Sequence, residues 1–249
     1  MTDTVKSIED MSLNAWPSSQ VQYYDGWVLR YSGFYTHRTN CVEQLGVSCL
    51  PLEEKIRFCE NIYRRWRTPC IFKISPVGDP ALDGLLAERG YAIEHHTTVM
   101  TASLMNVPAF VPAHPLRIEP RVTPQWIDGL FRLKHMDDPF FRRIVPRMYD
   151  AIPMDEIAVS LTEDGCITAL GLGILDRDAV GIYAIHVAEH RRRSGIGREI
   201  VSTLLREASS RGSVRAYLQV VTDNAPAKAL YRGCGFREEY CCWYRCKEV

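Results

Sequence analysis

Arg191-Arg192-Arg193-Ser194-Gly195-Ile196-Gly197-Arg198 is a basic glycine turn set between an apolar run and an amphipathic one. Two glycines free the backbone to aim successive N–H groups at one point, and a helix starting there adds its partial positive charge. Four arginines supply full charge around it, so an anion, and a phosphate above all, is expected in the turn. Upstream, Gly181 to Ala188 (GIYAIHVA) is rich in β-branched and aromatic residues, which predicts a buried strand. Downstream, Ile196, Ile200, Val201, Leu204, Leu205 and Ala208 recur at helical spacing, with Arg198, Glu199, Arg206 and Glu207 on the remaining arc and Gly212 closing the helix.

A second strand is predicted over Val214 to Val221. Asp223-Asn224-Ala225-Pro226 then opens a short helix ending at Gly233 to Gly235, with Asn224 as its cap. Strand, phosphate turn, helix, parallel strand and helix put the anion at the carboxyl end of the first strand, where open α/β sheets take ligands.

In this order the residues resemble the GNAT superfamily of acyl-CoA-dependent N-acyltransferases. Val187-x-x-x-x-Arg192-Arg193-x-Gly195-Ile196-Gly197 is similar to the family's acyl-CoA pyrophosphate loop. Tyr217-Leu218-Gln219-Val220 and Asn224-x-x-Ala227-x-x-Leu230-Tyr231-x-x-x-Gly235-Phe236 are similar to its second half. One departure is Glu189, where the family usually has proline. The resemblance implies acetyl-CoA as co-substrate, held by Arg192, Arg193, Ser194, Gly195, Ile196, Gly197 and Arg198, with the backbone amides from Arg193 to Arg198 outweighing any one guanidinium. It also implies strand amides near Ile185 and Val187 at the thioester oxygen, and Asn224 at the pantetheine arm.

The chemistry so implied is direct acetyl transfer to a primary amine of a small molecule or a peptide. An amine must first lose a proton, the thioester oxygen then gains negative charge, and the departing thiolate needs a proton. Tyr231 matches the family's tyrosine near the sulfur and is expected to act there as the acid. For the base, the family's positions on the strand before the loop fall here on Gly181, Tyr183 and Ile185, which leaves Tyr183. Simple alternation puts Tyr183 on one face with Ile185 and Val187, and His186 on the other unless a bulge intervenes. Asp137 and Asp138 are further partners for an ammonium group. The rival reading is a non-catalytic acyl-CoA-binding sensor or scaffold.

Composition narrows the class. Thirty acidic and thirty basic side chains leave no net charge, which argues against a general nucleic-acid or anionic-membrane binder. No run approaches the roughly 20 apolar residues of a membrane span, and the start lacks a signal peptide's apolar core, so a cytoplasmic location is expected. Nine cysteines without a C-x-x-C pair are read as reduced thiols. His186-x-x-Glu189-His190 fits a zinc-protease signature, but that motif needs a helix and this segment is a strand entering a turn, so no metal is expected there.

A proline-rich stretch at 106–115 divides the chain into a predicted first domain at 1–105 and an N-acetyltransferase domain at 116–249. The second domain begins with a strand at Leu116 to Glu119, helices at Pro124 to Lys134 and Pro139 to Ile152, and a hairpin turning at Asp164-Gly165. The first domain repeats this order: a hairpin at Asp25-Gly26, a helix Leu52 to Trp66, a strand Cys70 to Ser75, a helix Ala81 to Arg89 and a last strand. An offset of 145 residues aligns the marks and sets Val47, Leu50 and Leu52 against Arg192, Gly195 and Gly197. The fold expected is α/β (α+β): two GNAT-like halves, each a central mixed sheet flanked by helices, the first a degenerate copy unable to hold acyl-CoA. Asn14-Ala-Trp-Pro17, Tyr24-Asp-Gly-Trp-Val-Leu-Arg30 and Pro51-Leu-Glu-Glu-Lys-Ile56 resemble the amino-terminal half of tandem GNAT proteins.

Overall fold

The computed structural model describes residues 2–249. The chain runs α1 (Thr2–Ala15), β1 (Gln20–Tyr24), β2 (Trp27–Tyr31), β3 (Val42–Gln44), α2 (Leu52–Trp66), β4 (Cys70–Ile74), α3 (Ala81–Glu88) and β5 (Ala92–Ser103). It continues through β6 (Arg117–Glu119), α4 (Pro124–Leu133), α5 (Pro139–Asp150), β7 (Asp155–Glu163), β8 (Cys166–Asp176), β9 (Ala179–Val187), α6 (Ile196–Ser210), β10 (Arg215–Val221), α7 (Ala225–Gly233) and β11 (Arg237–Lys247). Among these described residues no helix is long and apolar enough to cross a membrane. The fold is the mixed α/β architecture expected from the sequence.

Packing separates two units. The first holds the chain up to Thr98 together with 221–223 and 240–249; the second holds 99–220 and 224–239. In the first unit β1, β2 and β3 pair antiparallel, β3 meets β4 in parallel, and β4 pairs antiparallel with the end of β11. The apolar core here is built on Trp27, Leu29, Ile56, Tyr63, Phe72 and Leu86. Helix α1, unassigned from sequence, buries Val5, Ile8, Met11 and Ala15. Its Glu9 carboxylate contacts the buried Lys73 ammonium, which also lies 3.5 Å from Glu43, and accepts the Tyr240 hydroxyl at 2.5 Å.

The second unit orders its strands β6-β7-β8-β9-β10, with the end of β5 beside β10. β6 to β9 pair antiparallel and β9 meets β10 in parallel. Helix α6 covers one face, where Ile196, Ile200, Val201, Leu204 and Leu205 pack on Val180, Ile182, Ala216 and Leu218. Gly171 lets the helix sit close: a Cβ there would lie 2.6 Å from both Ile185 and Ile200. Helix α4 packs against β8 and β9, and its Trp126 indole donates to the Val159 carbonyl at 3.2 Å. Both expected hairpins turn on Asp-Gly with left-handed backbone, φ being 43° and 76° at Asp25-Gly26 and 49° and 74° at Asp164-Gly165. That is the type I′ pattern matched to strand twist.

Strand β9 departs from simple alternation. Leu172 faces Tyr183 and Leu170 faces His186, so two residues, Ala184 and Ile185, oppose Gly171 alone, and Ala184 has φ of 51°. This bulge resets the phase of the strand. Ile182, Ile185 and Val187 face α6, whereas Tyr183 and His186 share the other face. The expectation that Tyr183 lies with Ile185 and Val187 is therefore corrected. The paired register of β9 with β10 also ends at Ile182 and Leu218, while β9 runs on to Val187, so the two strands part at their carboxyl ends.

Candidate functional site

The glycine turn joins β9 to α6. Gly195 caps the helix with φ of 88°, and Arg193 before it has φ of 63°. Positive φ at both residues curls the chain so that consecutive N–H groups converge. Among the described residues none of the backbone N–H groups of Arg193, Ser194, Gly195, Ile196 and Gly197 has a backbone acceptor, whereas Arg198 N–H donates to the Gly195 carbonyl at 2.9 Å. The expected set of amides, 193 to 198, therefore shortens by one. A Cβ at Gly195 would meet open space, and at Gly197 it would approach Leu230 at 3.3 Å, so the first glycine faces the vacant side and the second the wall.

The arginines do not all face the turn. Arg191 pairs with Glu163 at 2.7 Å and lies 3.3 Å from His114, whose other ring nitrogen is 3.0 Å from Glu199. Arg198 donates to the Gly233 carbonyl at 3.0 Å and so ties the start of α6 to the end of α7. Arg192 donates to the Val187 carbonyl at 3.3 Å and sits 3.6 Å from Glu189. Among the described residues only Arg193 of the four has a guanidinium without a hydrogen bond or ion pair. The proline-rich stretch, which forms no helix or strand, takes part through His114 and through the Phe110 carbonyl that accepts from Arg206 at 2.8 Å.

Beside the turn lies a cleft of about 450 Å³, walled by Ile185 and Val187 of β9, the turn itself, and Pro226, Ala227, Leu230 and Tyr231 of α7. Thus Ile185, Val187, Arg192, Arg193, Gly195, Ile196, Gly197, Arg198 and Tyr231 come together at one cleft. Asn224 stands outside the wall, where its side chain accepts from Ala227 N–H at 3.1 Å and caps α7. Ser194 donates its hydroxyl to the Arg191 carbonyl at 2.6 Å. Tyr231 packs edge-on against Phe236 with centroids 6.0 Å apart, and its hydroxyl makes no hydrogen bond to a described residue. Burial, then the nearby Cys234, pushes its hydroxyl up to about 12, so it holds its proton at neutral pH.

The opposite face of β9 carries Tyr183 and His186. Tyr183 is 5% exposed and its hydroxyl lies 2.8 Å from that of Tyr217. His186 is lowered to about 4, by burial first and then by the positive charges of Lys134 and Arg192. Glu189 and His190 sit in a short 3-10 turn, not on a helix with His186. Asp138 caps α5 by accepting from Phe140 N–H at 2.8 Å, and Asp137 lies 3.3 Å from Arg142.

The first unit answers the glycine turn with a different solution. At the start of α2, the amides of Cys49 and Leu50 both donate to the Asp25 carboxylate at 2.9 Å. These positions align with Ser194 and Gly195 at the 145-residue offset. The two amide bonds hold the Asp25 carboxyl below its usual range, and Lys55 lies 3.3 Å from it. An internal anion fills the place that the second unit leaves open.

Comparison with known proteins gives the family. Residues 2–245 match the family described as "Probable histone acetyltransferase Rv0428c C-terminal". The chain is 26% identical over 237 residues to the uncharacterized N-acetyltransferase YobR of Bacillus subtilis (strain 168), covering 94% of this chain and 95% of that protein. A GCN5-related N-acetyltransferase from Kribbella flavida superposes with a TM-score of 0.73 at 15% identity, over 98% of this chain and 96% of the other. A tandem GNAT protein from the clavulanic acid biosynthesis pathway superposes with a TM-score of 0.69 at 14% identity, over 97% and 87%. With nearly the whole sequence inside the family match and an open amide turn at the head of α6, the chain belongs to that family and is an N-acetyltransferase of the GNAT superfamily.

Proposed function

We propose that the enzyme takes acetyl from acetyl-CoA and transfers it directly to a primary amine of a small molecule or a peptide. The observation that carries this reading is the run of unpartnered amides from Arg193 to Gly197 opening on a cleft that ends at Tyr231. A diphosphate suits that turn because five N–H groups, a helix start and the Arg193 guanidinium all offer positive charge to it. The apolar walls at Ile185, Val187, Ala227 and Leu230 suit a pantetheine arm, with the amide of Asn224 at its edge.

The paired register of β9 with β10 ends at Ile182, and backbone amides near Ile185 and Val187 receive the negative charge that forms on the thioester oxygen as the amine attacks. The Tyr231 hydroxyl, protonated and unpartnered, gives its proton to the departing thiolate. The acceptor approaches from the face of Tyr183 and His186. Tyr183, with its hydroxyl against Tyr217, serves as a wall of that side, and the amine enters as its free base.

The test is release of free thiol from acetyl-CoA against an acceptor panel of amino acids, short peptides, polyamines and histone-tail peptides. The reading expects thiol release that depends on an amine of the panel and is absent without one. No thiol release with any amine, despite acetyl-CoA binding, would return the sensor reading.

A further inference from the structure

Away from the cleft, in the first unit, three side chains distant in sequence converge. His37 opens a short 3-10 turn (His37–Thr39), Glu94 lies on β5 and Cys246 near the end of β11. Their ligand atoms all lie within 4.8 Å of one another, and His37 Nε2 is 3.0 Å from a Glu94 oxygen. Tetrahedral zinc, with bonds of about 2.0–2.3 Å to nitrogen, oxygen and sulfur, sets its ligand atoms roughly 3.3–3.7 Å apart. The cluster therefore needs only side-chain adjustments to close on an ion.

The surroundings hold the group in place. The His37 ring is gripped edge-on by the His95 ring at 4.4 Å and the Tyr244 ring at 5.3 Å. His95 reaches that position because its backbone is left-handed within β5, with φ of 51°. The three residues line a cavity of about 250 Å³ that also takes in Phe34, Ile71 and Glu248, enough room for an ion and a water. Lys247, on the same rim, is directed elsewhere: its ammonium donates to the Arg89 carbonyl at 2.7 Å. Cys246 is a free thiol.

We propose that His37, Glu94 and Cys246 form a binding site for a divalent cation of the zinc class, clipping β5 and β11 to the turn at His37. Imidazole, carboxylate and thiolate together select zinc over the hard cations magnesium and calcium, which prefer all-oxygen sets. Three protein ligands leave the fourth position to water. The thiol proton passes to solvent as the metal binds.

The test uses the full chain stripped of metal, with Zn2+ alone followed by calorimetry and Co2+ alone followed by absorption. The site predicts one equivalent of tightly bound Zn2+ and a thiolate-to-cobalt charge-transfer band. Cys246→Ser removes the band and weakens Zn2+ binding by at least about tenfold. Glu94→Gln, a change at an exposed residue that keeps the fold, weakens binding in the same direction. Cys49→Ser and Cys166→Ser, at exposed cysteines outside the cluster, change neither readout. Binding that survives both Cys246→Ser and Glu94→Gln, or that follows Cys49 or Cys166 instead, overturns the assignment.

Discussion

Replacing His186 by glutamine should make the enzyme more resistant to acid, and the size of the effect follows from where the bulge puts the imidazole. His186 lies largely buried beyond Ala184 and feels the positive charges of Lys134 and Arg192, so its protonation falls from 6.5 to about 4. That lowering corresponds to roughly 3 kcal/mol at most. The unfolded chain takes up this proton first, near pH 6.5, while the folded protein resists it until about pH 4. Stability from the neutral imidazole is thus complete above pH 6.5 and is lost progressively as pH falls toward 4. Between pH 7.5 and 5.0 the difference amounts to about 2 kcal/mol for this one group.

The assay is urea unfolding of wild type and His186→Gln at pH 7.5 and 5.0. The other titrating groups are common to both proteins and cancel in the comparison. The wild type should lose about 2 kcal/mol more than the variant over that interval. Parallel losses would refute the reasoning, because they would mean that His186 titrates alike in the folded and unfolded chain. The same displacement bears on catalysis. An imidazole near 4 cannot hold a proton taken from an alkylammonium, so acetyl transfer should rise with pH as the free amine of the acceptor rises, without an inflection near 6.5.

Three other outcomes test the cleft and the fold. Gly195→Glu should abolish acetyl-CoA binding in calorimetry while costing only about 1–2 kcal/mol of stability, since the strain is one left-handed backbone position and the Cβ meets no protein atom; retained micromolar binding would remove the turn from the site. Tyr231→Phe should lower kcat by about 100-fold or more with little change in the KM for acetyl-CoA and less than about 0.5 kcal/mol in stability; unchanged kcat with a verified acceptor would dismiss Tyr231 as the acid. Lys73→Met leaves Glu9 buried without its cation and Glu43 with Arg30 alone, at 3.6 Å, and should cost about 3–5 kcal/mol in urea unfolding. A loss under about 1 kcal/mol there would mean that water reaches the carboxylates.

Local signals carried the sequence reading far, and they failed where the backbone broke a rule without a marker. Asp-Gly pairs, the glycine turn, Asn224 before Ala-Pro and the spacing from Ile196 to Ala208 each act on a few neighbouring residues, and each appears in place. The bulge at Ala184 has no glycine or proline to announce it, so alternation carried Tyr183 to the wrong face. Helix α1 had a readable stripe in Val5, Ile8, Met11 and Ala15, three or four residues apart, but it lacks an apolar majority. Charge was legible and its direction was not: nothing in the run of arginines tells that Arg191 turns to Glu163 and Arg198 to the end of α7. His37, Glu94 and Cys246 have no spacing to read, because only the pairing of distant strands brings them together.

The two helix starts show why a shared element order need not mean a shared ligand. Both units point backbone amides into a corner before a helix, at Cys49 and Leu50 in one and from Arg193 to Gly197 in the other. Exposed donors at a helix start need an acceptor. In the first unit the hairpin residue Asp25 supplies it from within, with Lys55 balancing the charge, so the corner is satisfied when the chain folds. At the matching offset from Gly195 the second unit presents Leu170 of β8, an apolar residue held inside the sheet, and among the described residues no carboxylate accepts from the amides of 193–197. Substituting glycine for leucine at that turn is thus half of the difference; the other half is the absence of an internal carboxylate on those amides, which leaves the second corner open to the anion of the proposed acetyl-CoA.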